Sequence, residues 1–244
     1  MHFIGLGTTV NVVAIVVGSL LGLGVGSRLT ARTSSTVTDV LGLVTVVIGA
    51  LSIMPLTQPT LSDAVPGGAA LIVILLALLA GALTGSALRI EDRMNDLGEW
   101  VHRKLGGAED SHFVDGFVTA SLLFCVGPLA ILGSLNDGLG RGADQLLIKS
   151  VLDGFASIAF ASTLGLGVMV AAVPLAIYQG SLTVAGHFLG NIMPAAQIDA
   201  LTVAGGIILM GLGIRLIGLK DIRVADLLPA LVFAPVFVWI AGLL

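Results

Sequence analysis

The stretch "AALIVILLALLAGAL", residues 69–83, has no charged or polar side chain. A helix on the surface of a soluble domain turns a polar face to water on every turn. This one has no such face. Extended to 68–88 it reaches the roughly 20 apolar residues that a helix needs to cross about 30 Å of hydrocarbon. A barrel strand would alternate apolar and polar positions over about ten residues, and this run is apolar all round. It reads as a membrane-spanning helix.

The rest of the chain repeats the signal. Of 244 residues, 56% are hydrophobic and 11% charged, with a mean hydropathy of +1.08. A soluble domain carries about 25% charged residues. The sequence therefore predicts an all-α integral membrane protein, a single polytopic domain over residues 1–244. Eight hydrophobic segments are expected, at 3–26, 37–56, 68–88, 114–134, two within 145–190, 198–219 and 224–243. The opening "MHFIGLGTTVNVVAIVV" lacks the basic start of a signal peptide and reads as a retained first helix. Trp100 and Trp239 flank or end apolar segments, as interfacial anchors do. Cys125, the single cysteine, reads as a buried, inert thiol.

Basic residues set the orientation. Arg28 and Arg32 follow the first segment. Arg89, Arg93, Arg103 and Lys104 follow the third, and Lys220 and Arg223 the seventh. The loop "TQPTLSDAVPGG" (57–68) has neither Lys nor Arg. Basic loops stay cytoplasmic, which with eight crossings places both termini outside; Arg141 alone dissents. The 89–110 region reads as an amphipathic interfacial helix and cytoplasmic loop, because Ile90, Met94, Leu97, Val101 and Leu105 recur at helical spacing. Its His102-Arg103-Lys104 cluster reads as a solvated, headgroup-facing end. It is too small a basic patch for nucleic acid.

Charges at mid-bilayer cost about 2.5–3.5 kcal/mol each on insertion scales, so each one asks for a partner or a function. Asp39, Asp115 and Asp199 fall at expected segment starts, where an aspartate caps free N–H groups. Arg215 is one turn from a segment end and reads as snorkelling to the interface. Asp153 lies deeper, with Lys149 one turn before it on the same helical face. The two form either a structural ion pair or part of a polar cavity.

Gly127-Pro128, Gly165, Gly167 and Pro174 predict interrupted helices in the fourth segment and in the 145–190 stretch. Transporters build midplane sites from such helices, at the contact of inverted repeats. Whether 145–190 crosses twice or includes a re-entrant half-helix stays open. Asp-Gly-Phe occurs at 115–117 and again at 153–155, in adjacent segments of opposite direction. A weaker echo joins "TDVLGLVTVVIGALSI" to "IDALTVAGGIILMGLGI". Together these predict an inverted internal repeat. Gly18, Gly22 and Gly26 lie four apart on one face, a close-packing stripe that also suits a homodimer; Gly205, Gly206, Gly211 and Gly213 read the same way.

Enzyme chemistry has no footing here. There is no phosphate-binding loop, and His2, His102, His112 and His187 have no metal-ligand spacing. No histidine lies in a segment core to activate a serine. The two Asp-Gly-Phe aspartates lack a Gly-Leu-Gly-Asp-like context. No cofactor is expected.

The blocks "GTTVNVVAIVVGSLLGLGVG", "RIEDRMNDLGEWV", "FVTASLLFCVGPLAILGSLNDGL", "KSVLDGFASIAFASTLGLGV", "AIYQGSLT" and "IRVADLLPALVFAPV" resemble the bacterial membrane proteins of domain-of-unknown-function family 554, the YqgA/YdfK-like group. The resemblance runs nearly end to end and is most specific over 117–138 and 149–170. It implies a bacterial inner-membrane protein and transfers no site residues, since the family has no established activity.

The residues thus point to a secondary transporter or channel for a small ion or solute, sited between segments around 115–138 and 149–180. Asp153 and Asp115 would bind a cation or proton. Asn11, Asn136, Asp137, Ser157, Ser162, Thr163 and Gln179 would line the path, and Lys149 would lie beside it. Such an oxygen-rich, histidine-poor set suits a hard cation or proton over a soft metal. The alternative is a non-transporting scaffold or accessory subunit, with the aspartates as caps and a structural pair. The surroundings of Asp153 separate the two: a hydrated cavity favours transport, a bond to Lys149 favours the scaffold.

Overall fold

A computed structural model describes residues 4–26, 30–104, 111–125, 128–140, 142–189 and 194–243. His2, Arg28, Leu105, Gly127 and Arg141 lie outside the described residues, as do the side chains of Leu97, Val101, His102, Arg103 and His112. The chain is helical, with no strand among the described residues. In order the helices are α1 (Leu6–Gly26), α2 (Ala31–Leu51), α3 (Pro59–Ser62), α4 (Ala70–Leu88), α5 (Ile90–Lys104) and α6 (Ser111–Cys125). Then come α7 (Pro128–Gly138), α8 (Asp144–Leu164), α9 (Gly167–Val170), α10 (Ala172–Leu189), α11 (Ala195–Leu216) and α12 (Ala230–Ala241).

Among the described residues, five helices are long and apolar enough to cross a membrane: α1, α4, α8, α9 joined with α10, and α11. A sixth span arises if α6 and α7, bent by 74° at their break, cross together. The two remaining hydrophobic segments are shorter apolar helices, 42–57 and 225–241. Side-chain placement agrees with a lipid solvent. On α8, Ile148, Val151, Leu152 and Phe155 are exposed, while Lys149, Asp153 and Ser157 are buried. That distribution is inside out for water and correct for hydrocarbon, where ionisable groups face the protein interior. On α4, Leu71, Ile72, Leu75, Leu76, Leu79 and Leu83 are all exposed.

The chain divides into two compact units, residues 1–41 with 94–192, and residues 42–93 with 193–244. In the first, α1 and α8 run parallel, backbone against backbone. A Cβ added at Gly18, Gly22 or Gly26 would fall within 3.0 Å of the carbonyl oxygen of Gly154, Ile158 or Ser162 respectively. The glycine stripe is thus covered by α8 and leaves no face there for a second copy. The α10 helix returns antiparallel, with Thr8 of α1 opposite Thr183 and Asn11 opposite Gln179.

The reversal between α8 and α10 takes place at Gly165, whose φ of 77° suits only glycine, and at Leu166. The 145–190 stretch therefore contains two helices of spanning length rather than a half-helix. Pro174 has no N–H to give the Val170 carbonyl, and the span is interrupted one turn before it, at Ala171 between α9 and α10.

In the second unit α2 and α11 cross antiparallel, glycine on glycine. A Cβ at Gly49 would lie 2.5 Å from the Gly206 oxygen, and one at Gly213 2.6 Å from the Gly42 oxygen. Leu61, Ile74, Ala77, Val203, Ala204 and Ala234 form the apolar core. The α4 helix packs antiparallel on the segment leading into α12, Gly81 against Ala230 and Gly85 against the backbone of Asp226.

Two sequence expectations are corrected. Asp39, Asp115 and Asp199 lie in none of the first helical turns. Their helices begin at Ala31, Ser111 and Ala195, four to eight residues earlier, because the residues just ahead of each expected start hold no glycine or proline and continue the helix. Arg215 does not simply reach for the interface; it pairs with Glu91 and Asp221. The two Asp-Gly-Phe copies also differ in setting. Asp115 is exposed with Phe117 buried, whereas Asp153 is buried with Phe155 exposed.

Candidate functional site

The α1 helix presents Gly7, Thr8 and Asn11 on one side of its first two turns, and each meets a polar group from another helix. The Gly7 N–H donates to Asp137 Oδ2 at 3.1 Å, so a buried carboxylate from α7 sits on the positive end of α1. The Thr8 and Thr183 hydroxyls lie 3.4 Å apart. Asn11 Nδ2 donates to Asp153 Oδ2 at 2.9 Å and, more weakly, to Gln179 Oε1 at 3.4 Å. The Lys149 ammonium donates to the same Asp153 oxygen.

These four residues are deeply buried: Asn11 and Gln179 are 0% exposed, Lys149 6% and Asp153 7%. Asp153 is nine residues into α8, about 13.5 Å from its start at 1.5 Å per residue and close to the helix midpoint. An unpaired carboxylate there would be costly. Lys149 supplies the counter-charge, one turn away on the same helix, and Asn11 a further donor. Two atoms of the cluster have no partner: Asn11 Oδ1 and Gln179 Nε2 are both buried without a hydrogen bond among the described residues. Ser19 Oγ and Ser121 Oγ are buried without a partner too; atoms of this kind require an explanation, such as strain, a functional role, or a bound water or ion.

The other sequence candidates fall outside this cluster. Asn136 donates to Gln145 at 3.0 Å. Ser157, Ser162 and Thr163 bond carbonyls of their own helix, those of Asp153, Ala159 and Phe160. Asp115 is exposed. Sequence reasoning missed Thr8 and Thr183. Their signal was available, one turn from Asn11 and Gln179 on the same faces.

It also missed a second polar network, in the other unit. Glu91, 4% exposed, pairs with Arg215 and accepts the Ala225 N–H at 2.7 Å. Asp226 in turn accepts the Glu91 N–H at 3.0 Å. Each carboxylate caps the turn that carries the other. Glu91 was not singled out within the 89–110 region of the sequence, and its partners are 124 to 135 residues away.

The chain is thus a polytopic helical membrane protein with an ion pair and two amides buried among its candidate spans. No metal-binding group of three or more His, Cys, Asp or Glu occurs among the described residues. Over residues 6–239 it matches the family model described as protein of unknown function (DUF554), and it belongs to that family. It is 30% identical over 234 residues to the uncharacterized membrane protein YdfK of Bacillus subtilis, covering 96% of each chain. It is also 30% identical over 234 residues to the uncharacterized protein YqgA of Escherichia coli, covering 94% of each. No solved structure matches.

Proposed function

We propose that this protein is a secondary transporter or channel of the bacterial inner membrane for a small ion or small solute. Its site is the Lys149–Asp153–Asn11–Gln179 cluster, and both termini lie outside. One observation carries the reading: two fully buried amides next to a mid-helix ion pair keep an acceptor and a donor free. A core evolved only for packing would fill such a place with apolar side chains, since half-satisfied polar networks are worse than none. The break between α6 and α7 adds support, because interrupted helices accompany transport sites.

A specific observation favours the rival reading, that of a non-transporting scaffold. Asp153 is bonded to Lys149, and a neutral pair can be purely structural. Flux into proteoliposomes, across a panel of ions and small metabolites, separates the two. Saturable flux that falls at least tenfold in Asp153→Asn is expected. Flux absent for every solute refutes transport and leaves the scaffold.

A further inference from the structure

The free halves of the two amides say what the site takes. Two primary amides can close a ring by exchanging two hydrogen bonds. Asn11 and Gln179 make only one, from Asn11 Nδ2 to Gln179 Oε1 at 3.4 Å. The second, from Gln179 Nε2 to Asn11 Oδ1, is not formed, and both atoms are buried and unpartnered. Both hydrogens of Asn11 Nδ2 are in use, one toward Gln179 and one toward Asp153 at 2.9 Å. A guest that bridges the gap accepts from Nε2 and donates to Oδ1.

Charge narrows the class. Lys149 already neutralises Asp153, so the cluster has no net charge to offer an ion. A metal cation at Asn11 Oδ1 would meet one free oxygen, an amide N–H and an ammonium held on the adjacent carboxylate. Hard cations ask for six or more oxygens. An anion would meet the Asp153 carboxylate and the Asn11 oxygen. What remains is an uncharged group with donor and acceptor side by side.

Resting on the transport reading above, we propose that the Asn11–Gln179 pair is the binding point for a small uncharged solute of the carboxamide or urea class. In this proposal Lys149 keeps metal cations off Asp153. The Thr8–Thr183 hydroxyl contact lies one turn nearer the start of α1, where Thr8 is 9% exposed, and it is the polar step by which such a solute reaches the amides.

The test uses the full chain in proteoliposomes. Uptake of labelled urea and acetamide is measured beside uptake of sodium, potassium and rubidium. The expected result is saturable urea or acetamide uptake with cation uptake at background. Gln179→Leu and Asn11→Leu should lower the solute uptake at least tenfold, and Ser181→Ala, on the exposed side of α10, should leave it unchanged. Should the leucine variants fail to elute as folded protein, Gln179→Glu replaces the free donor by an acceptor at constant size and should show the same loss. Saturable cation uptake without urea or acetamide uptake overturns this inference and leaves the transport reading standing. Solute uptake indifferent to Asn11 and Gln179 overturns the site, and so does osmotic water flow without solute uptake. No uptake of anything overturns both proposals.

Discussion

Replacing Lys149 by methionine keeps most of the side chain's length and removes its charge. The Asp153 carboxylate would then be 7% exposed near the middle of a 21-residue helix, with Asn11 as its remaining donor. Insertion scales put an uncompensated charge at that depth at about 2.5–3.5 kcal/mol, and removing one member of a buried pair costs about 3–5 kcal/mol. Lys149→Met should therefore lose about 3–5 kcal/mol, two to nearly four powers of ten in the folded-to-unfolded ratio. Asp153→Asn alone should also destabilise, because it strands the ammonium.

The double variant, Lys149→Met with Asp153→Asn, removes both charges and keeps an oxygen for Asn11 Nδ2. It should recover most of the loss, and the coupling should exceed about 2 kcal/mol, within the range for residues in direct contact. Denaturant unfolding of purified protein in detergent, read by helical circular dichroism, measures all four corners of the cycle. A single variant as stable as the parent would refute the buried-pair assignment. So would a double variant no better than the sum of the singles.

Two further outcomes follow from packing and capping. Gly22→Leu forces a side chain onto the Ile158 carbonyl and should cost at least about 1–3 kcal/mol. Gly24→Ala, whose Cβ meets nothing within 4 Å, should be neutral or up to about 1 kcal/mol stabilising; equal melting shifts for the two would contradict the α1–α8 contact. Asp137→Ala frees the Gly7 N–H and should lose about 0.5–2 kcal/mol, while Asp137→Asn keeps an acceptor and should lose less. An unchanged melting temperature in Asp137→Ala would show that the carboxylate does not hold the start of α1.

Membrane class and most spans were legible because hydrocarbon imposes one simple demand, a run of apolar residues of fixed length. The Lys149–Asp153 pair was legible too, since a four-residue spacing is a local geometric fact. Helix starts were not, because polar residues at 32–36 continue α2 beyond the apolar signal on which Asp39 had been placed. The long-range partners were hidden for another reason. Nothing local to Glu91 distinguishes it from Asp92, yet only Glu91 is buried, by contacts with Arg215 and Ala225. Asn11 was singled out as polar in an apolar helix, but its bond to Asp153 spans 142 positions. Asp-Gly-Phe was a repeat in letters whose two copies turn opposite faces to the interior.

The parallel pairing of α1 with α8 sets the order of assembly. At a synthesis rate of about 5–20 residues per second, the 142 positions between Asn11 and Asp153 take about 7–28 s to translate. During that interval the first helix waits in the bilayer with its glycine groove filled by lipid and its asparagine without its carboxylate. It must hold its place on hydropathy alone, and a nascent chain arrested before α8 would present an unfinished helix to the quality-control machinery of the membrane.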